Sequence, residues 1–132
     1  QESTKTAESK FVADDKNAEL TASSDVQSLV ADGKSTAKLE VTLFSANNPV
    51  GGNVWVDIEA PEGVTEKDYQ FLPSKNDHFV SGKITRTFST SKPGVYTFTF
   101  NALTYGGYEM KPVTVTITAV DADTAKGEEA MK

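Results

Sequence analysis

The chain has 132 residues, room for one domain of about 100 residues with polar ends. A net charge of −6 argues against a nucleic-acid backbone, which needs a lysine and arginine field, and against attraction to an anionic membrane surface. The absence of cysteine excludes disulfides and thiolate-held metals, so any stable core must come from packing alone.

Residues 1 to 17 (QESTKTAESKFVADDKN) are polar, charged and aperiodic, and they read as a flexible polar leader. Gln1 to Lys10 has no apolar h-region, so no signal peptide is expected there. No apolar run approaches the roughly 20 residues of a spanning helix, so no membrane insertion is expected. From Ala18 the texture changes. Glu19-Leu20-Thr21-Ala22 and Ser28-Leu29-Val30-Ala31 form a broken first strand around the turn signal Ser23-Ser24-Asp25. After the turn dipeptide Asp32-Gly33, Thr36 to Phe44 alternates, with Ala37, Leu39, Val41 and Leu43 on one face. Ser45 to Asn53 (SANNPVGGN) reads as a loop. Val54 to Ala60 is the next strand, with Val54, Val56 and Ile58 inward and Trp55, Asp57 and Glu59 outward.

Residues 64 to 82 are harder to read. Tyr69, Phe71 and Leu72 anchor one short strand and Phe79-Val80 another, with Pro73 and Asn76-Asp77 as interruptions. Lys83 to Thr90 places Ile84, Arg86 and Phe88 on one face. Pro93-Gly94 then feeds strict alternation, with Tyr96, Phe98 and Phe100 on one face and Val95, Thr97 and Thr99 on the other, running to about Leu103. In Tyr105-Gly106-Gly107-Tyr108 the paired glycines supply the positive φ of a tight hairpin. Lys111 to Val120 is the last strand, with Val113, Val115, Ile117 and Ala119 alternating with threonines. Residues 121 to 132 form a flexible acidic tail.

About seven short strands separated by turn signals predict an all-β, antiparallel β-sandwich over residues 18–120. Its expected core is Leu39, Val41, Leu43, Val54, Val56, Ile58, Ile84, Phe88, Tyr96, Phe98, Phe100, Val113, Val115 and Ile117. A tyrosine just after a Gly turn at a strand start, as at Tyr96, resembles the tyrosine corner of Ig-like sandwiches.

Four pieces in order resemble the group 1 bacterial Ig-like domains of the intimin/invasin family. They are Val30-Ala31-Asp32-Gly33-Lys34-Ser35-Thr36-Ala37, Asn48-Pro49-Val50-Gly51-Gly52-Asn53-Val54-Trp55-Val56, Ser81-Gly82-Lys83-Ile84-Thr85 and Lys92-Pro93-Gly94-Val95-Tyr96-Thr97-Phe98. The resemblance covers about residues 28 to 120. It implies an Ig-like module of an exported or surface bacterial protein, extracellular or on the cell surface, with roles in virulence or cell adhesion. The partners it implies are an outer-membrane barrel, a co-exported protein or a host surface protein. The chain departs from the family at Phe44 to Asn48, has no clear counterpart for Tyr69 to Val80, and carries Arg86 where the family is apolar.

No residue constellation supports an enzyme. The single histidine, His78, has Ser74 and Ser81 nearby in sequence, but nothing holds a triad together. Asp14/Asp15, Asp57/Glu59, Asp121/Asp123 and Glu128/Glu129 read as solvated carboxylates. Calcium needs six or more oxygens, and Asp121 and Asp123 supply too few, so no metal and no cofactor is expected. Gly51-Gly52 and Gly106-Gly107 are turn chemistry, since neither precedes a helix start or a Lys-Ser/Thr pair. Arg86 on the core face needs a carboxylate partner or a route to water.

The favoured reading is a monomeric, non-enzymatic protein-binding module. Tyr105, Gly106, Gly107 and Tyr108 should gather with Asn47 and Asn48 at one end of the sandwich, because tyrosine, asparagine and glycine suit loop-based binding. Trp55 is a further candidate, either as an exposed aromatic anchor or packed under Arg86 or a tail. The alternatives are a passive spacer in an adhesin stalk and a carbohydrate-binding module with Trp55 and Asp57 as its platform.

Overall fold

The computed structural model describes residues 15–123, which form two packed β-sheets. Most of the leader and tail, residues 1–14 and 124–132, lie outside the described residues. Ten strand segments build the sandwich: β1 (Glu19–Ser24), β2 (Ser28–Val30), β3 (Ala37–Ser45), β4 (Asn48–Pro49), β5 (Gly52–Glu59), β6 (Tyr69–Leu72), β7 (Asn76–His78), β8 (Lys83–Thr90), β9 (Gly94–Thr104) and β10 (Val113–Val120). The first sheet runs β1-β3-β8-β6, with β4 folded back on β3. The second runs β2-β10-β9-β5-β7.

The broken first strand has a physical consequence. β1 pairs antiparallel with β3 in one sheet, and β2 crosses to pair parallel with β10 in the other. Asp25 marks the switch: its Oδ1 accepts from Lys38 N at 2.7 Å. Asp32 then closes the turn expected after β2, with Oδ1 accepting from Lys34 N and Ser35 N, and Gly33 takes a φ of 76°. Those two amides hold the Asp32 carboxyl below its ordinary pKa.

Alternation decides which face each strand buries. In β3, Ala37, Leu39, Val41 and Leu43 are buried, and in β9 Tyr96, Phe98, Phe100 and Ala102 are. An aromatic layer joins the sheets. Phe88 of β8 meets Tyr96 and Phe98 of β9, each with ring centres 4.9 Å apart, and Phe71 of β6 stacks on Phe98 at 5.6 Å. Twelve of the fourteen expected core residues are buried; Ile58 and Val113 are half-buried. Leu20, Leu29, Val50, Phe71 and Phe79 complete the core from segments whose periodicity is too short to read.

Tyr96 forms the expected corner. Its hydroxyl donates to the Lys92 carbonyl at 2.8 Å and lies 2.7 Å from Thr90 Oγ1. Thr90 Oγ1 is also 3.1 Å from the Asp68 carbonyl. The corner therefore ties the β8–β9 turn to the short helical turn at Glu66–Asp68.

Three expectations need correction. The short strand placed at Phe79-Val80 lies instead at Asn76–His78, on the residues read as an interruption. The edge of β5 draws it in: Val56 N donates to the Lys75 carbonyl and Phe79 N to the Gly52 carbonyl, both at 3.0 Å. Ser45 to Asn53 is not one open loop. Ala46 and Asn47 take left-handed φ values of 48° and 73°, the two-residue hairpin pattern, and return the chain along β3 as β4. Finally, only Gly107 of the glycine pair takes a positive φ (95°).

Candidate functional site

At the end of the sandwich where β5 begins and β9 turns over, the Tyr105–Tyr108 hairpin meets Gly51, while Asn47 and Asn48 belong to the β3–β4 hairpin of the first sheet. Thr104 N donates to Tyr108 O at 2.9 Å, and Gly107 N donates to Thr104 O at the same distance, closing the three-residue loop Tyr105–Gly107. Tyr108 N donates to Thr104 Oγ1 at 3.0 Å, so the loop is braced by a side chain as well. Met110 N donates to Ala102 O at 2.8 Å and continues the hairpin below the turn.

This hairpin is fixed to the neighbouring loop. Tyr105 N donates to Gly51 O at 3.1 Å, and Gly52 is opposite Thr104 in register. A Cβ on Gly51 would fall 2.8 Å from Tyr105 Cδ2, so the ring of Tyr105 lies directly over a residue without a side chain. A Cβ on Gly52 would fall 2.6 Å from the Leu103 carbonyl oxygen. Both glycines are close-approach positions rather than flexible joints. The leader contributes too. Asp15, in the helical turn Asp15–Asn17, accepts from Gly106 N at 2.9 Å through Oδ2.

Tyr105 and Tyr108 are 65% and 45% exposed despite this bracing. Asn47 is exposed at the tip of the β3–β4 turn, and Asn48 is half-buried in β4. The structure thus joins Tyr105 to the Gly51 side of the second loop. The contact partner that periodicity could not supply is Asp15, because a leader carboxylate has no sequence mark of the amide it will meet.

Trp55 stands apart on the outer face of the second sheet, 36% exposed. It is not covered by Arg86, which lies inside on the first sheet. Arg86 is 4% exposed, and each nitrogen of its guanidinium donates: Nη2 to Asp77 Oδ2 at 2.6 Å, Nε to the Ser74 carbonyl at 2.7 Å and Nη1 to the Thr85 carbonyl at 2.8 Å. The expected carboxylate partner is Asp77. The Arg86 hydrogen bond, followed by the His78 amide, holds the Asp77 carboxyl below its ordinary pKa.

The remaining candidates have structural roles or none. His78 is on an exposed edge strand, its backbone N–H donating to Asp77 Oδ1 at 2.7 Å. Asp57 and Glu59 are exposed. Asp121 Oδ1 accepts from Asp123 N at 2.8 Å. Glu66 pairs with Lys75, which lowers the pKa of the carboxyl and raises that of the amine. Among the described residues no cluster of three or more His, Asp or Glu could hold a metal ion. No helix among them is long and apolar enough to cross a membrane.

No protein-family model matches the sequence, and no curated protein matches it. Solved structures do. The chain is similar to the D00-D0 domain of intimin, at 19% identity and a TM-score of 0.61, over 81% of this chain and 49% of that one. It is similar to the C-terminal 282-residue fragment of intimin in complex with the intimin-binding domain of the translocated intimin receptor, at 14% identity and a TM-score of 0.53, over 75% and 32%. It is also similar to a glycosyl hydrolase family 2 member from Bacteroides cellulosilyticus, at 16% identity and a TM-score of 0.59, over 82% of this chain and 15% of that one. The chain spans about half or less of each of these structures. What is shared is the fold, an Ig-like β-sandwich.

Proposed function

We propose that this Ig-like domain is a non-enzymatic binding module of an exported or surface bacterial protein. It engages a protein partner through Tyr105, Gly106, Gly107 and Tyr108 together with Asn47 and Asn48. The observation that carries the reading is the pair of exposed tyrosines on a hairpin braced from both sides, by Gly51 and by Asp15. Rigid aromatic rings exposed at low entropic cost are effective anchors, because little freedom remains to be lost on binding.

The partner is an outer-membrane barrel, a co-exported protein or a host surface protein, and the setting is extracellular or the bacterial cell surface. The intimin fragment among the similar structures has a protein receptor bound, which supports this class of partner. The likeness of the chain to the C-terminal Ig-like domain of ZirS, a secreted virulence-modulating protein exported with an intimin-like barrel, belongs to the same proposal. Pull-down from bacterial-envelope and host-surface extracts tests it, comparing wild type with Tyr105→Ala/Tyr108→Ala at matched thermal stability. The expected result is a specific partner retained by wild type and lost by the double variant. Equal recovery would remove the loop-tip site, and recovery of no partner would leave a passive spacer.

A further inference from the structure

The outer face of the second sheet carries one aromatic ring inside a frame of amides. Trp55 is at mid-β5, opposite Asn101 of β9 on one side and Asn76 of β7 on the other. Asn53 and Asp57, two residues before and after it, share its face. Because β5 is paired on both edges, the ring rides on a three-strand platform rather than a loop.

The polar groups are positioned but not consumed. Asn101 Nδ2 donates to Asp57 Oδ2 at 3.1 Å, which orients both side chains. Among the described residues no hydrogen bond is made by Asp57 Oδ1, by the Asn101 side-chain oxygen, or by the side chains of Asn53 and Asn76. Donors and acceptors therefore surround the ring, ready for a ligand.

The surround selects the ligand class. A protein hot spot is sealed by neighbouring contacts around an apolar centre, and contiguous apolar surface marks it. Here the in-strand and directly opposite neighbours on the face are three amides and a carboxylate, with Thr99, Leu103 and His78 at the diagonal positions. A hexopyranose fits that arrangement. Its C–H face carries weak positive charge that suits the negative face of an indole. Its vicinal hydroxyls both donate and accept, as amide and carboxylate groups require. The Asp57 carboxylate disfavours acidic sugars, since like charges repel.

We infer that the Trp55 face binds a neutral hexose glycan, stacked on the indole and held through its hydroxyls by Asn101, Asp57 and Asn76. This site is independent of the loop-tip reading. Trp55 is the only tryptophan in the chain, so its fluorescence reports on this site alone.

The test is titration of the folded chain with three neutral β-linked probes: cellohexaose, laminarihexaose and lacto-N-tetraose. A saturable change in Trp55 emission with at least one probe is expected. By calorimetry, Trp55→Ala and Asn101→Ala should each weaken binding at least about tenfold, while Tyr105→Ala/Tyr108→Ala binds as wild type. If Trp55→Ala melts early, Asn101→Ala keeps the ring and carries the comparison. Flat titrations with all three probes would overturn the inference. So would undiminished binding by Asn101→Ala, or loss of a captured protein by Trp55→Ala while the glycan titrations stay flat.

Discussion

Tyr96 is the residue whose role was most legible from its position, one alternation after Pro93-Gly94. Its hydroxyl caps the Lys92 carbonyl and meets Thr90, so Tyr96→Phe removes these two contacts while Thr90 keeps the Asp68 carbonyl. The expected loss is about 1 kcal/mol, read by urea unfolding. Burial raises the phenol pKa above its ordinary value. The unfolded chain therefore loses this proton first, and stability falls as pH rises past about 10. Tyr96→Phe should lack that alkaline step. Asp77 works in the opposite direction. Its pKa is lowered in the fold, so its contribution is present above about pH 4 and is lost as pH falls through the folded value. Asp77→Asn should remove that acid step and cost about 3 kcal/mol at pH 7, because Arg86 stays buried with only its carbonyl partners. The need for a partner to Arg86 was readable from strand phase. Its identity was not, since Asp77 sits in a stretch that looks like a turn.

At the level of elements, long alternating strands were legible and short edge strands were not. β3, β9 and β10 have enough residues for period two to stand out, whereas β4 and β7 have two and three. β7 forms because β5 offers an open edge and because Asp77 must reach Arg86, neither of which is a local signal. Two of the departures from the resembled intimin/invasin pattern, Arg86 and the segment from Tyr69 to Val80, thus become one feature. The extra segment around Ser74 to Asp77 is stapled to β8 by the arginine that replaces an apolar residue. The start of β5 is equally constrained. Gly52→Ala should destabilise the domain by about 1–3 kcal/mol, seen as a lower urea midpoint, since its Cβ would press on the Leu103 carbonyl. A midpoint equal to wild type would mean that β5 and β9 separate there at little cost.

For the molecule as a whole, the sandwich was readable because burial imposes a period on every long strand. The proposed binding end was readable only in composition. Which loops meet depends on where β5 and β9 pair, and Gly51 under Tyr105 emerges only once that pairing is in place. Asp15 shows the same limit from the other side, as a leader residue read as free that holds the Gly106 amide. The most direct measurement of the proposed role is amide hydrogen exchange on the domain with and without its captured partner. Slowed exchange should appear at residues 47–52 and 105–108. Protection confined to the opposite end, at residues 61–63 and 91–94, would contradict it.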